Sequence, residues 1–237
     1  MEVKKVLQKF FRGYVVLEET ESVINGKIQV LEDIFGKRRL VVGGLTQSGE
    51  AVEKIWEAAI KVISNWKLVI RNCLILGLGA GNAAKVLAKG EGRRAKILGI
   101  EIDPEIIRLG KRYFGLGEAK NLRILNEDAI NWLRSCSNDL YPPCGEAGHG
   151  SRRFQLILVD LYKGDQVLPE TENNEFLQNI KKILVPDGIV IFNRLYYSEK
   201  KEKTDKFLEK LKKYFSKIEA KIVETNKLFL CQNIDTK

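Results

Sequence analysis

The chain has 237 residues, 44% of them hydrophobic, enough for one large domain or one domain with a small extension. Its net charge of +9 would suit an anionic partner, but seven of the lysines between Lys200 and Lys213 fall on one predicted amphipathic helix, where they read as a solvated face; nucleic acid is not the expected partner. No apolar run reaches the ~18 residues of a membrane span, and the start, Met1 to Val6, lacks the apolar core of a signal peptide, so a cytoplasmic chain without a membrane partner is expected.

Residues 1–11 suit a short amphipathic lead-in. Three β segments follow, at Tyr14–Leu17, Ile28–Leu31 and Arg39–Val42, with Asn25-Gly26 and Phe35-Gly36-Lys37 as turn signals. They predict a small N-terminal β subdomain over residues 1–48, and the remaining 49–237 predict the main domain. A helix is expected over Ala51–Ile63. Strands at Asn72–Leu76, Ile97–Ile102, Leu122–Leu125, Phe154–Val159 and Gly188–Phe192 then alternate with helices near 81–90, 104–113, 129–135 and 172–184, the lysine-rich helix coming after the last. Repeated strand–helix units predict an α/β fold, a doubly wound and mostly parallel sheet. Lys217–Glu224 and Leu228–Gln232 are expected to add an antiparallel hairpin at its edge.

The stretch Ser135–Arg153, with Pro142-Pro143 and three glycines, interrupts this rhythm and reads as an inserted loop. It carries Cys136, Cys144 and His149, the chain's one histidine. The four cysteines, with Cys73 and Cys231, form no Cys-x-x-Cys pair, so no metal site is expected and free thiols are.

Leu74-Ile75-Leu76-Gly77-Leu78-Gly79-Ala80-Gly81-Asn82 is an apolar strand breaking into alternating glycines before a helix. That pattern builds a nucleotide seat, because glycine backbone amides can approach a ligand at a helix N-terminus. Asn82 stands where a dinucleotide fingerprint would have its third glycine. Glu101 ends the next strand about 20 residues on, where an acid can hold both ribose hydroxyls; Asp103 competes, but Asp103-Pro104 reads as an N-cap followed by proline. In Glu127-Asp128-Ala129, Asp128 is placed either to meet an adenine amine or to cap the next helix. Asp160, where a buried strand emerges, is the candidate general base, and Tyr162 and Asp165 follow it in the loop.

Taken together these residues resemble the spermidine synthase (polyamine aminopropyltransferase) family, a branch of the class I S-adenosylmethionine-dependent methyltransferase superfamily. The likeness rests on Leu40–Ser48, on Gly77–Asn82, on Gly99-Ile100-Glu101-Ile102-Asp103 and on Leu158-Val159-Asp160. It implies a class I methyltransferase-like (Rossmann-like) fold. It implies that Gln47, Gly77, Gly79, Gly81, Glu101, Asp128 and Ala129 bind S-adenosylmethionine or its decarboxylated form. It further implies that Asp160 is catalytic and that Tyr162 and Asp165 contact a small-molecule amine. The reaction so implied moves an aminopropyl group to a polyamine such as putrescine, in a homodimer. Three positions depart from the pattern, Gly43, Ala80 and Lys163 standing where the family has aspartates, and the family's tyrosine–histidine–glutamate gate is not visible between Ser48 and Ile63. They leave open a methyltransferase of unknown acceptor, or a catalytically silent nucleoside-binding homologue.

Overall fold

The computed structural model describes residues 13–66, 68–90, 93–137 and 153–232. The expected lead-in at residues 1–11 and most of the 135–153 insertion, with Cys144 and His149, lie outside the described residues. The chain begins with four antiparallel strands paired in order, β1 (Tyr14–Ser22), β2 (Gly26–Asp33), β3 (Arg38–Val42) and β4 (Leu45–Ser48). Helix α1 (Glu50–Ser64) leads into β5 (Asn72–Leu76), α2 (Asn82–Lys89), β6 (Lys96–Glu101), α3 (Pro104–Tyr113), β7 (Leu122–Asn126), α4 (Ala129–Ser137) and β8 (Phe154–Val159). A short hairpin, β9 (Tyr162–Lys163) and β10 (Gln166–Val167), precedes a 3-10 turn (Pro169–Glu172), α5 (Asn174–Ile183), β11 (Leu184–Leu195), α6 (Lys200–Leu211), β12 (Lys217–Val223) and β13 (Asn226–Gln232).

The main sheet runs β12-β13-β11-β8-β5-β6-β7. Within it β13 alone is antiparallel, pairing against both β11 and β12. The antiparallel strand therefore sits one place inside the edge, with β12 outermost, rather than at the margin. This is a mixed α/β fold of the class I methyltransferase type.

Alternation along β5 explains the layers. Cys73 and Ile75 face one side, with Trp56 and Ile63 of α1 and Leu87 of α2. Leu74 and Leu76 face the other, with Trp132 of α4, Leu177 of α5 and Phe207 of α6. All four β5 residues are fully buried, as a parallel strand covered on both faces requires. The N-terminal sheet closes a third, smaller core, in which Ile28, Val30 and Leu40 meet Ala80 and the α3 residues Ile106 and Leu109. Polar contacts pin the same junction. Glu18 accepts from Arg108 and Arg112 (2.6 and 2.9 Å) and from the Tyr113 hydroxyl (2.8 Å).

Some boundaries differ from the expected ones for local reasons. Strand β4 follows Gly43 and Gly44, whose positive φ values (55° and 84°) let the chain double back and add a fourth strand to the three expected. The helix expected from 172 starts at Asn174, because Asn173 Oδ1 caps it by accepting from Phe176 N (2.7 Å). Helix α4 runs on to Ser137, so the insertion begins later than Ser135 and Cys136 is a buried helix residue. Strand β11 continues past Phe192 to Leu195, which brings Asn193 and Arg194 to the sheet's ligand-facing end.

Gly77 has φ +85°, and a Cβ there would lie 2.2 Å from the Asp160 carbonyl oxygen, a backbone atom that cannot swing aside. Gly77→Ala is therefore expected to cost about 3 kcal/mol, from positive-φ strain and the clash together. Thermal unfolding of the variant checks this; a loss below about 0.5 kcal/mol, the scale of a neutral surface change, would contradict it.

Candidate active site

The carboxyl ends of β5, β6 and β8 converge on a cavity of about 400 Å³, within the range of small-molecule sites. Its wall includes Gln47, Gly77, Gly79, Glu101, Asp128, Ala129, Asp160 and Tyr162, eight of the ten residues expected from sequence. Gly81 and Asp165 lie apart from it. Gly81 turns away: its φ of +101° makes it the left-handed N-cap of α2, packed against Leu116. Asp165 faces a neighbouring chamber, with its carboxylate held by Lys200 (2.8 Å). That ammonium keeps the Asp165 carboxyl below the usual aspartate range.

The glycine turn differs from a simple open nest of amides. Gly79 N donates to Glu101 Oε2 (2.8 Å), Ala80 N to Ser48 Oγ (3.3 Å) and Gly81 N to Leu78 O (3.2 Å). Its N–H groups are thus already satisfied by protein. Glu101 also accepts from Asp103 N (3.0 Å), and its burial raises the carboxyl above the ordinary glutamate range, opposed by these amides. Asp103 is occupied elsewhere, as its N-cap reading required. Its Oδ1 accepts from Glu105 N (2.9 Å), and its Oδ2 accepts from Ser22 and from Asn25 Nδ2 (2.6 Å) in the β1–β2 turn. Asp128 does cap α4, accepting from Ile130 N and Asn131 N (2.9 and 2.8 Å), while its side of the cavity continues through Ile130 and Ile102.

Asp160 stands between two spaces, the 400 Å³ cavity and a second chamber of about 270 Å³. Gln47, Tyr162 and Gly164 line both as well, and Gln47 Nε2 donates to Gly164 O (3.2 Å), tying β4 to the loop after β8. Burial pushes the Asp160 carboxyl up to about 6, against the lowering pull of the Asn193 amide and the Arg194 charge. Asn193 Nδ2 donates to Asp160 Oδ1 (2.9 Å), Asn226 Nδ2 donates to Asn193 Oδ1 (2.8 Å), and the Tyr162 hydroxyl donates to Asn193 O (2.9 Å).

Arg194 is fully buried, and its charge lies over the rings of Phe207 and Phe192 (4.4 and 5.6 Å). Sequence reasoning missed Ser48, Asn193, Arg194 and Asn226. A polar pair ending an otherwise apolar strand, Phe192-Asn193-Arg194, was the signal available for two of them.

The family model for the spermine/spermidine synthase domain matches residues 54–229, about three quarters of the chain. The chain belongs to this family. Over 120 residues it is 27% identical to the polyamine aminopropyltransferase of Vibrio vulnificus, covering 51% of this chain and 36% of that protein. Over 190 residues it is 23% identical to the mouse eEF1A lysine and N-terminal methyltransferase, covering 76% of this chain and 25% of that protein. The chain thus spans about a third and a quarter of the lengths of these two relatives. Both of these relatives are transferases. A spermidine synthase solved in complex with the transition-state analogue AdoDATO superimposes with a TM-score of 0.73 at 16% identity, over 93% of this chain and 74% of that one, a likeness of fold.

The carbon NMR signal of the Asp160 carboxyl is expected to titrate with a midpoint near about 6. In Asn193→Leu the ionised form loses its amide donor, so the midpoint should move higher. A midpoint near the model-peptide value of ~3.9 in the native chain would mean that burial does not govern this carboxyl.

Proposed function

We propose that this chain transfers an alkyl group from an S-adenosyl sulfonium donor to an amine nitrogen. The observation that carries this reading is the position of Asp160, a carboxyl held near 6 at a wall shared by two chambers, so that it can take a proton at neutral pH. The larger cavity suits an adenosyl ligand: Glu101 faces the ribose position, Asp128 with Ile102 and Ile130 frames a base, and Gln47 closes the side toward the second chamber. When bound, the donor supplies a carbon made electrophilic by the adjoining sulfonium.

The chain's part is to align the amine and relieve it of its proton. The nitrogen lone pair forms the new N–C bond as the C–S pair leaves on sulfur, and the proton shed by nitrogen passes to the Asp160 carboxylate. Asn193 occupies Oδ1 and leaves the other oxygen available. Family membership supports the aminopropyl version, with decarboxylated S-adenosylmethionine as donor. A methyl version, with S-adenosylmethionine itself, is favoured by one observation: Ala80 is fully buried and offers only a methyl group where the resemblance led one to expect an acid for the donor's ammonium. Without that acid nothing at this position repels a donor carboxylate.

Calorimetric titration with the carboxylated and decarboxylated donors, followed by assay for methylthioadenosine or S-adenosylhomocysteine with a mixture of amines, distinguishes the two versions. Asp160→Asn is expected to keep donor binding within about threefold while lowering turnover at least ~100-fold, the scale of a lost general base. Glu101→Gln is expected to weaken donor binding at least about tenfold. Turnover that survives in Asp160→Asn would refute the assignment of the base. For the native chain, rate should rise with pH through about 6 as Asp160 ionises.

A further inference from the structure

The second chamber constrains which amine can be used. Its floor is Asp160. Its sides come from α1 (Ala51, Val52, Ile55), from Asn193 and Leu195 of β11, and from Thr225 and Asn226 at the β12–β13 turn. Three acids border it, but they are not equivalent. Asp165 is neutralised by Lys200, whose ammonium meets both its carboxylate (2.8 Å) and its carbonyl oxygen (2.7 Å) while its own side chain is only 12% exposed. Glu224 is exposed on the hairpin turn at the chamber's outer rim, where solvent screens it. Among the described residues, that leaves Asp160 as the acid inside the chamber without a cationic partner in contact. Between it and the rim the walls are apolar or neutral, and Lys163, at the donor side of the same loop, adds a positive charge.

A linear diamine carries two ammonium groups. With its first nitrogen at Asp160, its second would be desolvated against Val52, Ile55, Leu195 and neutral amides without a counter-charge. We propose that the acceptor is a primary amine bearing a single positive charge on an apolar stem, with its nitrogen at Asp160 and its stem along Val52, Ile55 and Leu195. This rests on the amine-alkylation reading and narrows it: the selectivity is set by the Lys200–Asp165 pair, which withdraws an acid that a diamine would need. The transfer itself balances: the new N–C bond replaces the C–S bond, the C–S electron pair stays on sulfur, and one proton passes from nitrogen to Asp160.

The test compares n-butylamine with 1,4-diaminobutane, which have the same four-carbon chain and differ by one terminal ammonium. Binding is measured by calorimetry on the native chain, with S-adenosylhomocysteine or methylthioadenosine present to fill the donor cavity. The monoamine is expected to bind at least about tenfold more tightly. In Lys200→Met the Asp165 carboxylate is released, and the preference should shift at least about fivefold toward the diamine. Glu224→Gln should leave the preference unchanged. Equal or tighter diamine binding by the native chain, no binding of either amine, or a Lys200→Met variant with an unaltered ratio would each overturn the proposal. Amine binding is read separately from turnover. Selective monoamine binding without alkylation by any donor would sink the functional reading and leave the chamber's selectivity standing.

Discussion

Everything at the ligand-facing end of this sheet depends on how closely two backbones approach at Gly77. Gly77 N donates to Ile100 O (3.1 Å), and Asp160 N donates to Leu76 O (2.9 Å), so the ends of β5, β6 and β8 are stitched together across one residue without a side chain. The cavity exists because the strands stop together there, and Asp160 is aimed into it because its own backbone is fixed by that stitch. Glu101 is set by the same device one strand over, its carboxylate gripping the glycine turn through Gly79 N and the start of α3 through Asp103 N. Holding the carboxylates in this way lowers the side-chain ordering cost that a ligand would otherwise meet on binding.

Around Asp160, opposing electrostatic effects meet, and burial outweighs the rest. Burial raises the carboxyl, whereas Asn193 and the Arg194 charge lower it. Burial likewise lowers Arg194 itself, partly offset by Tyr162, Glu172 and Asp160. Its Nε makes no hydrogen bond among the described residues, and Glu172 lies 3.7 Å away. A buried guanidinium backed by aromatic faces exerts its field without supplying a donor directly to the acid. That leaves Asp160 ionised at neutral pH yet basic enough to accept a proton, which a strongly hydrogen-bonded carboxylate would not be.

Much of this was legible in the sequence because the relevant signals are local. The buried run Cys73–Leu76, the glycine turn and the Asp103-Pro104 cap each report on their own few residues, and the sheet with its alternating helices follows from repeating such units. Asp160 and Glu101 were readable because strand ends are where crevice residues sit. What the sequence concealed is pairing across distance. Asp165 reads as a free loop acid until α6 brings Lys200 to it, and Gly81 reads as part of an amide nest until Leu116 is seen behind it. Asn193 and Asn226 are two ordinary amides until β13 aligns them in one chain ending on Asp160.

The inward position of β13 bears on how the protein comes into being. Asn226 reaches Asp160 through Asn193, and Gln47 reaches the same loop through Gly164, so the centre is assembled from segments that span nearly the whole chain. Contacts of such long sequence separation form late in folding. During synthesis the larger cavity can take shape once β8 and the loop after it have docked, whereas Asp160 gains the support of Asn193 and Asn226 only after β13 has been inserted between β11 and β12. The cavity would thus be walled before the carboxyl at its boundary with the second chamber is braced, and a nascent chain would pass through a stage with the first feature and without the second.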